Sequence, residues 1–155
     1  MSAELLKKSV LFKDFTPTGL NILGRIARTR VVLAGKPLFT EGAAGDALYI
    51  ILEGRFRVLM KGSDGKDLPI AALGPGEHAS EVSLLGDSPP NHLCSAIAEA
   101  DSKVVEIRRA DFQQTMKEKP QACIKLMLAI SQEFGRKVAA TQDTLRHLLT
   151  RAAGR

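Results

Sequence analysis

Residues 28–107 break into short apolar runs, each stopped within a few positions by glycine, proline or aspartate. The longest unbroken apolar run in the whole chain is Ala47 to Leu52, six residues. Runs of that length suit strands, whereas a helix spanning a bilayer needs roughly 18 apolar residues. Val31-Val32-Leu33 ends at Ala34-Gly35, and the run to Leu52 ends at Glu53-Gly54. Phe56, Val58 and Met60 alternate with Arg55, Arg57 and Leu59, the two-residue period of a strand with one buried face. Gly62-Ser63-Asp64-Gly65 is a turn signal, and 68–73 returns as its hairpin partner. Gly74-Pro75-Gly76 breaks the chain again, and 92–98 and 103–107 read as two further strands. Short strands at this spacing predict a barrel or a double-sheet jelly roll.

Helical signals flank the strands. Residues 2–8 read as a short helix with Glu4 near its start. Thr16-Pro17, a capping residue followed by proline at the first helical position, starts a second helix expected to reach Ala27. After the strands, 111–117 reads as a helix stopped near Pro120, and a long helix is expected over 121–150. Its apolar positions Cys123, Met127, Ile130, Phe134, Val138, Leu145 and Leu148 follow a near-heptad seam, interrupted by Thr141. At ~1.5 Å per residue such a helix reaches roughly 44 Å, more than the width of a small barrel. Part of it therefore calls for a partner, and a second copy pairing through 121–150 is the simplest. The expected organisation is mainly β with flanking α: helical segment 1–27, β-roll 28–108 and C-terminal helices 109–155, one structural domain in all.

Charge and cysteine content exclude several functions. Residues 67–102 hold six acids and no Lys or Arg, while the basic surplus sits at the two ends of the chain. A surplus of that kind, without a DNA-reading module, gives no operator recognition by these residues alone. Cys94 and Cys123 stand 29 positions apart, neither a CxxC pair nor a disulfide framework, and read as reduced thiols of a cytoplasmic protein. Three histidines, His78, His92 and His147, include no H-x-H pair, so no metal centre is expected. No G-x-S-x-G or P-loop sequence is present, and the reading is non-enzymatic.

The stretch Glu41-Gly42-Ala43-Ala44-Gly45-Asp46-Ala47-Leu48-Tyr49-Ile50-Ile51-Leu52-Glu53-Gly54 resembles the E-G-x-x-G-D-x-L-Y-x-I-x-x-G signature of the cyclic nucleotide-binding domain family. Gly74-Pro75-Gly76-Glu77-His78-Ala79-Ser80-Glu81-Val82-Ser83-Leu84-Leu85 resembles that family's phosphate-binding cassette. The resemblance covers roughly residues 10 to 140. It implies a double-stranded β-helix of about eight strands, with N-terminal helices and a long C-terminal helix. It further implies a cAMP-type ligand, a regulatory role and no metal.

The chemistry of a cassette follows from its ligand. A carboxylate accepts a charge-assisted hydrogen bond from the ribose 2′-hydroxyl, backbone N–H groups at a helix start face the phosphate, and a guanidinium supplies countercharge. By resemblance Glu81 is the ribose carboxylate, and Val82 and Ser83 offer the N–H groups. Ser80 stands where the family has glycine, and Ala79 replaces its phenylalanine. The family's arginine is missing: one register places Pro90 there, and the other places His92, just before Cys94-Ser95. Leu93 follows His92, so nothing favours cGMP. The candidate ligand-binding residues are thus Ser80, Glu81, Val82, Ser83, His92, Cys94 and Ser95. Losing a charge-assisted bidentate contact costs about 1.5–3 kcal/mol, or 10- to 100-fold in affinity. Two functions remain open: a weak cAMP-type sensor signalling through its long helix, and a related module that serves protein interaction without nucleotide.

Overall fold

The structure, a computed structural model, describes residues 2–154. Helix α1 (Ser2–Leu6) is followed by a 3₁₀ turn (Val10–Phe12) and by α2 (Pro17–Gly24). The Ser9 and Thr16 hydroxyls accept from Leu11 N and Gly19 N and cap these two elements. Eight strands follow: β1 (Ala27–Val32), β2 (Pro37–Phe39), β3 (Ala47–Glu53), β4 (Phe56–Lys61), β5 (Asp67–Leu73), β6 (His78–Ala79), β7 (Ser95–Ala98) and β8 (Ser102–Arg108). The chain ends in α3 (Arg109–Glu118) and α4 (Pro120–Ala153).

The strands form two four-stranded sheets in the orders β1-β8-β3-β6 and β2-β7-β4-β5, with antiparallel pairing throughout. Alternation along β3 explains how the sheets are covered. Leu48, Ile50 and Leu52 join Val105 and Ile107 against the helices, beside Leu11, Phe12, Leu23, Phe112, Cys123, Leu126 and Ile130. Ala47, Tyr49 and Ile51 face the other way and close the roll with Val32, Leu38, Phe56, Ala96, Ala98 and Val104. A strand buried on both faces reads as a continuous apolar run, which is what Ala47 to Leu52 is.

The β3–β4 turn depends on Gly54. Its φ is +91°, and a Cβ there would lie 2.0 Å from Ser102 Oγ and 2.8 Å from Ser102 Cα. Both the backbone conformation and the approach of β8 require glycine.

Several element boundaries differ from expectation. Helix α2 stops at Gly24 rather than Ala27, because Ala27 already pairs with Ile107 in the β1–β8 ladder. Only Ser95–Ala98 of the expected 92–98 strand is in the sheet, since His92 pairs instead with Gly42 and Ala43. The two- and three-residue strands β6 and β2 were not anticipated. Helix α4 runs 34 residues, about 51 Å at 1.5 Å per residue.

The α4 seam divides in two. Ala122, Cys123, Leu126 and Ile130 are buried against the roll and the N-terminal helices. Phe134, Val138, Leu145, Leu148 and Leu149 are each at least half exposed. Among the described residues no helix is long and apolar enough to cross a membrane.

Candidate functional site

The cassette lies between β6 and β7. Ser80 leaves β6 with φ +62°, the left-handed conformation that a glycine adopts without cost. Its hydroxyl lies 2.6 Å from the Ser83 hydroxyl, a hydrogen bond that offsets part of the strain. A 3₁₀ turn (Glu81–Leu84) follows, in which Ser83 N donates to the Ser80 carbonyl.

Two anchors hold this turn. The first is the loop before β3. Gly45 N donates to the Pro90 carbonyl at 2.6 Å, and a Cβ on Gly45 would fall 2.2 Å from Ser83 Oγ. The glycine of the Gly45-Asp46 pair is therefore required by close approach of the cassette. His92 N donates to Ala43 O, and Gly42 N donates back to His92 O, both at 2.8 Å. The second anchor is Arg109, the first residue of α3. Its buried guanidinium donates to the carbonyls of Ser83, at 2.7 Å, of Leu85, at 2.8 Å, and of Gly86. Its backbone N–H donates to Asp46 O at 2.7 Å. One arginine thus ties the end of the cassette, the loop before β3 and the start of α3 together.

Glu81 is buried, and its Oε1 accepts from Lys137 Nζ of α4 at 2.9 Å. His78 Nε2 lies 3.9 Å from the same oxygen and has no hydrogen-bond partner, although it is buried. Burial pulls the His78 pKa below its ordinary value; the Glu81 carboxylate opposes this, and Lys137 reinforces it. Beside Lys137 on the same helix, Glu133 pairs with Arg136, and that hydrogen bond holds its carboxyl below the usual range.

The other predicted residues have other partners. The His92 ring stacks on Phe39, centroids 4.4 Å apart, and Phe39 stacks in turn on Tyr49. Burial lowers the His92 pKa, with Asp46 opposing, so its imidazole is neutral at pH 7 and supplies no countercharge. The Ser95 hydroxyl accepts from Glu41 N at 2.8 Å. The Cys94 thiol is half-buried, its pKa raised by burial and then by Glu41. Val82 is exposed.

Inside the roll, buried Glu106 of β8 meets Arg108 Nε at 2.9 Å and Arg30 Nη1 at 3.6 Å. Burial, aided by Asp46 and Glu106, pushes the neighbouring Tyr49 phenol up to about 12. Among the described residues no three His, Cys, Asp or Glu side chains converge as a metal site would require.

Sequence reasoning did not find Lys137 or Arg109. They stand 56 and 26 positions from their cassette partners, beyond the range of any local pattern. In the sequence His78 figures only as one of three histidines without an H-x-H pair, although its spacing of three from Glu81 is visible.

The model of the cyclic nucleotide-binding domain matches residues 29–119, more than half of the chain. The chain belongs to the cyclic nucleotide-binding domain family. It is similar to the cyclic AMP receptor protein of Thermus thermophilus, 30% identical over 115 residues that cover 74% of this chain and 52% of that protein. It is likewise similar to the cAMP-dependent protein kinase regulatory subunit of Yarrowia lipolytica, 32% identical over 111 residues, covering 72% of this chain and 28% of that one. The chain therefore spans about half, or less, of these two relatives. Among solved structures, a cyclic nucleotide-binding domain from Methylobacillus flagellatus superposes with a TM-score of 0.77 at 24% identity, covering 92% of this chain and 79% of that one. The Thermus thermophilus catabolite activator protein superposes with a TM-score of 0.70 at 27% identity, covering 88% and 62%.

Proposed function

We propose that the chain is a cyclic nucleotide-responsive regulatory domain that takes a cAMP-type ligand weakly at the cassette and reports it through α4. The observation that carries this reading is Glu81, a buried carboxylate at the head of the cassette turn, hydrogen-bonded to the long helix. A ribose hydroxyl donates to that carboxylate, and the phosphodiester lies against the start of the turn, beside Val82. The two relatives named for cAMP support the choice of nucleotide. Weak affinity follows from the missing arginine, since no Lys or Arg lies anywhere in 67–102.

The exposed half of α4 supports a homodimer. Phe134, Val138, Leu145 and Leu148 repeat at heptad spacing, and each is at least half exposed. A ligand that changes how α4 leaves the roll then changes the geometry of the pair.

A second reading, an interaction module that binds no nucleotide, draws support from a cassette whose polar groups already satisfy each other, Glu81 with Lys137 and Ser80 with Ser83. Thermal unfolding with 1 mM cAMP, cGMP or a cyclic dinucleotide separates the two. Ligand at 100 times its dissociation constant adds about 2.7 kcal/mol, or roughly 5–10 °C for a domain of this size. A shift with cAMP supports the sensor. No shift with any nucleotide supports the interaction module.

A further inference from the structure

We infer that the Lys137–Glu81 pair is a latch: it holds α4 to the cassette where the helix leaves the domain, and a nucleotide must open it to reach Glu81. The ligand half of this inference rests on the sensor reading above; the latch itself does not.

Three observations place the latch. The first is its position along α4. Up to Ile130 the helix is seated by buried apolar side chains, and from Phe134 onward its apolar residues are exposed. Lys137 stands one turn past that change and reaches back to the cassette at 2.9 Å. Among the described residues it makes the one hydrogen bond between α4 and the cassette turn. The second is coverage of the carboxylate. The Glu81 side chain is only 10% exposed, so a sugar cannot approach it without something moving away. Its charged or titratable neighbours within 4 Å are His78 and Lys137. His78 is fixed in β6, where its backbone pairs with Ile50. Lys137 is 49% exposed on a four-carbon stem, and it is the neighbour free to leave. The third is His78 itself, whose Nε2 is buried without a partner near the same carboxylate. At 3.9 Å and without a hydrogen bond to it, His78 does not take the lysine's place, so Glu81 without Lys137 is a buried carboxylate in need of a donor. A ribose hydroxyl is such a donor.

The latch therefore couples the two ends of the sensor. Lysine and ligand compete for one carboxylate, and occupancy by one excludes the other. The cost of displacing Lys137 lowers the apparent affinity of the resting chain.

Two measurements on Lys137→Gln and Glu81→Gln test this. Amide hydrogen exchange over 131–141, measured with no nucleotide present, is expected to quicken at least fivefold in both variants, with 121–130 unchanged. Titration with cAMP is expected to show Lys137→Gln binding three- to tenfold more tightly than the unmodified chain. Unchanged exchange in both variants overturns the latch. Weaker cAMP binding by Lys137→Gln also overturns it, because the lysine would then be the ligand's countercharge rather than its competitor. Faster exchange with no cAMP binding by any form upholds the latch and instead refutes the sensor reading.

Discussion

Replacing Arg109 by methionine removes the clamp between α3 and the cassette while keeping a side chain of similar length. Three carbonyls lose their donor. Gly86 is exposed and Leu85 half-buried, so water can replace much of what those two lose. Ser83 is only 1% exposed, and its carbonyl stays unpaired. An orphaned buried acceptor costs about 1–3 kcal/mol, and each rehydrated one roughly 0.5 kcal/mol. The three losses together come to about 2–4 kcal/mol, and recovery of the guanidinium's desolvation cost draws the outcome toward the lower end of that range. At roughly 3 °C per kcal/mol for a domain of this size, the melting temperature falls by about 6–12 °C. Arg109→Lys keeps the charge without the three-way fork and is expected to fall between the two. Calorimetry reads the shift, and amide exchange over 83–90 localises it. A methionine variant that melts within 2 °C of the unmodified chain, with exchange in that loop unaltered, refutes the reasoning.

Three further outcomes are expected. The folded-state pKa values of His78 and His92 both lie below the ordinary 6.5, so the unfolded chain takes up protons first as pH falls. Stability is then full above about pH 6.5 and is lost as pH drops from there through the lowered folded values. Melting scans between pH 7.5 and 5.5 should show this loss. The groups facing His78 are Glu81, Glu133, Arg136 and Lys137, and His78→Gln should flatten the profile. Gly54→Ala places a Cβ into Ser102 at a φ of +91° and is expected to cost about 3 kcal/mol or more, measured by urea unfolding. Leu145→Asp is expected to convert a dimer to a monomer by light scattering while leaving the melting temperature of the roll unchanged, since Leu145 touches none of the core.

The fold was legible where one residue type serves one steric need. The glycines at 42, 45 and 54 mark turns and close approaches, and the apolar run between them is a strand buried on both faces. Strands β2 and β6 were not legible, because two or three residues are too few to show a period. His92 read as a strand residue, but its backbone pairs with a loop that no local pattern could nominate. At the site, Glu81 was nominated by the resemblance of residues 74–85 to the family's cassette. Its partner was not, because Lys137 is one of eleven lysines in the chain and lies 56 positions from Glu81. Only the path of α4 past the cassette selects it.

The central claim is that Glu81 is a nucleotide contact. Isothermal titration of cAMP into the unmodified chain and into Glu81→Ala tests it most directly. Saturable binding at one nucleotide per chain is expected in the former, and its loss in the latter. Binding that survives the substitution undiminished would contradict it, as would a flat titration of the unmodified chain at millimolar cAMP.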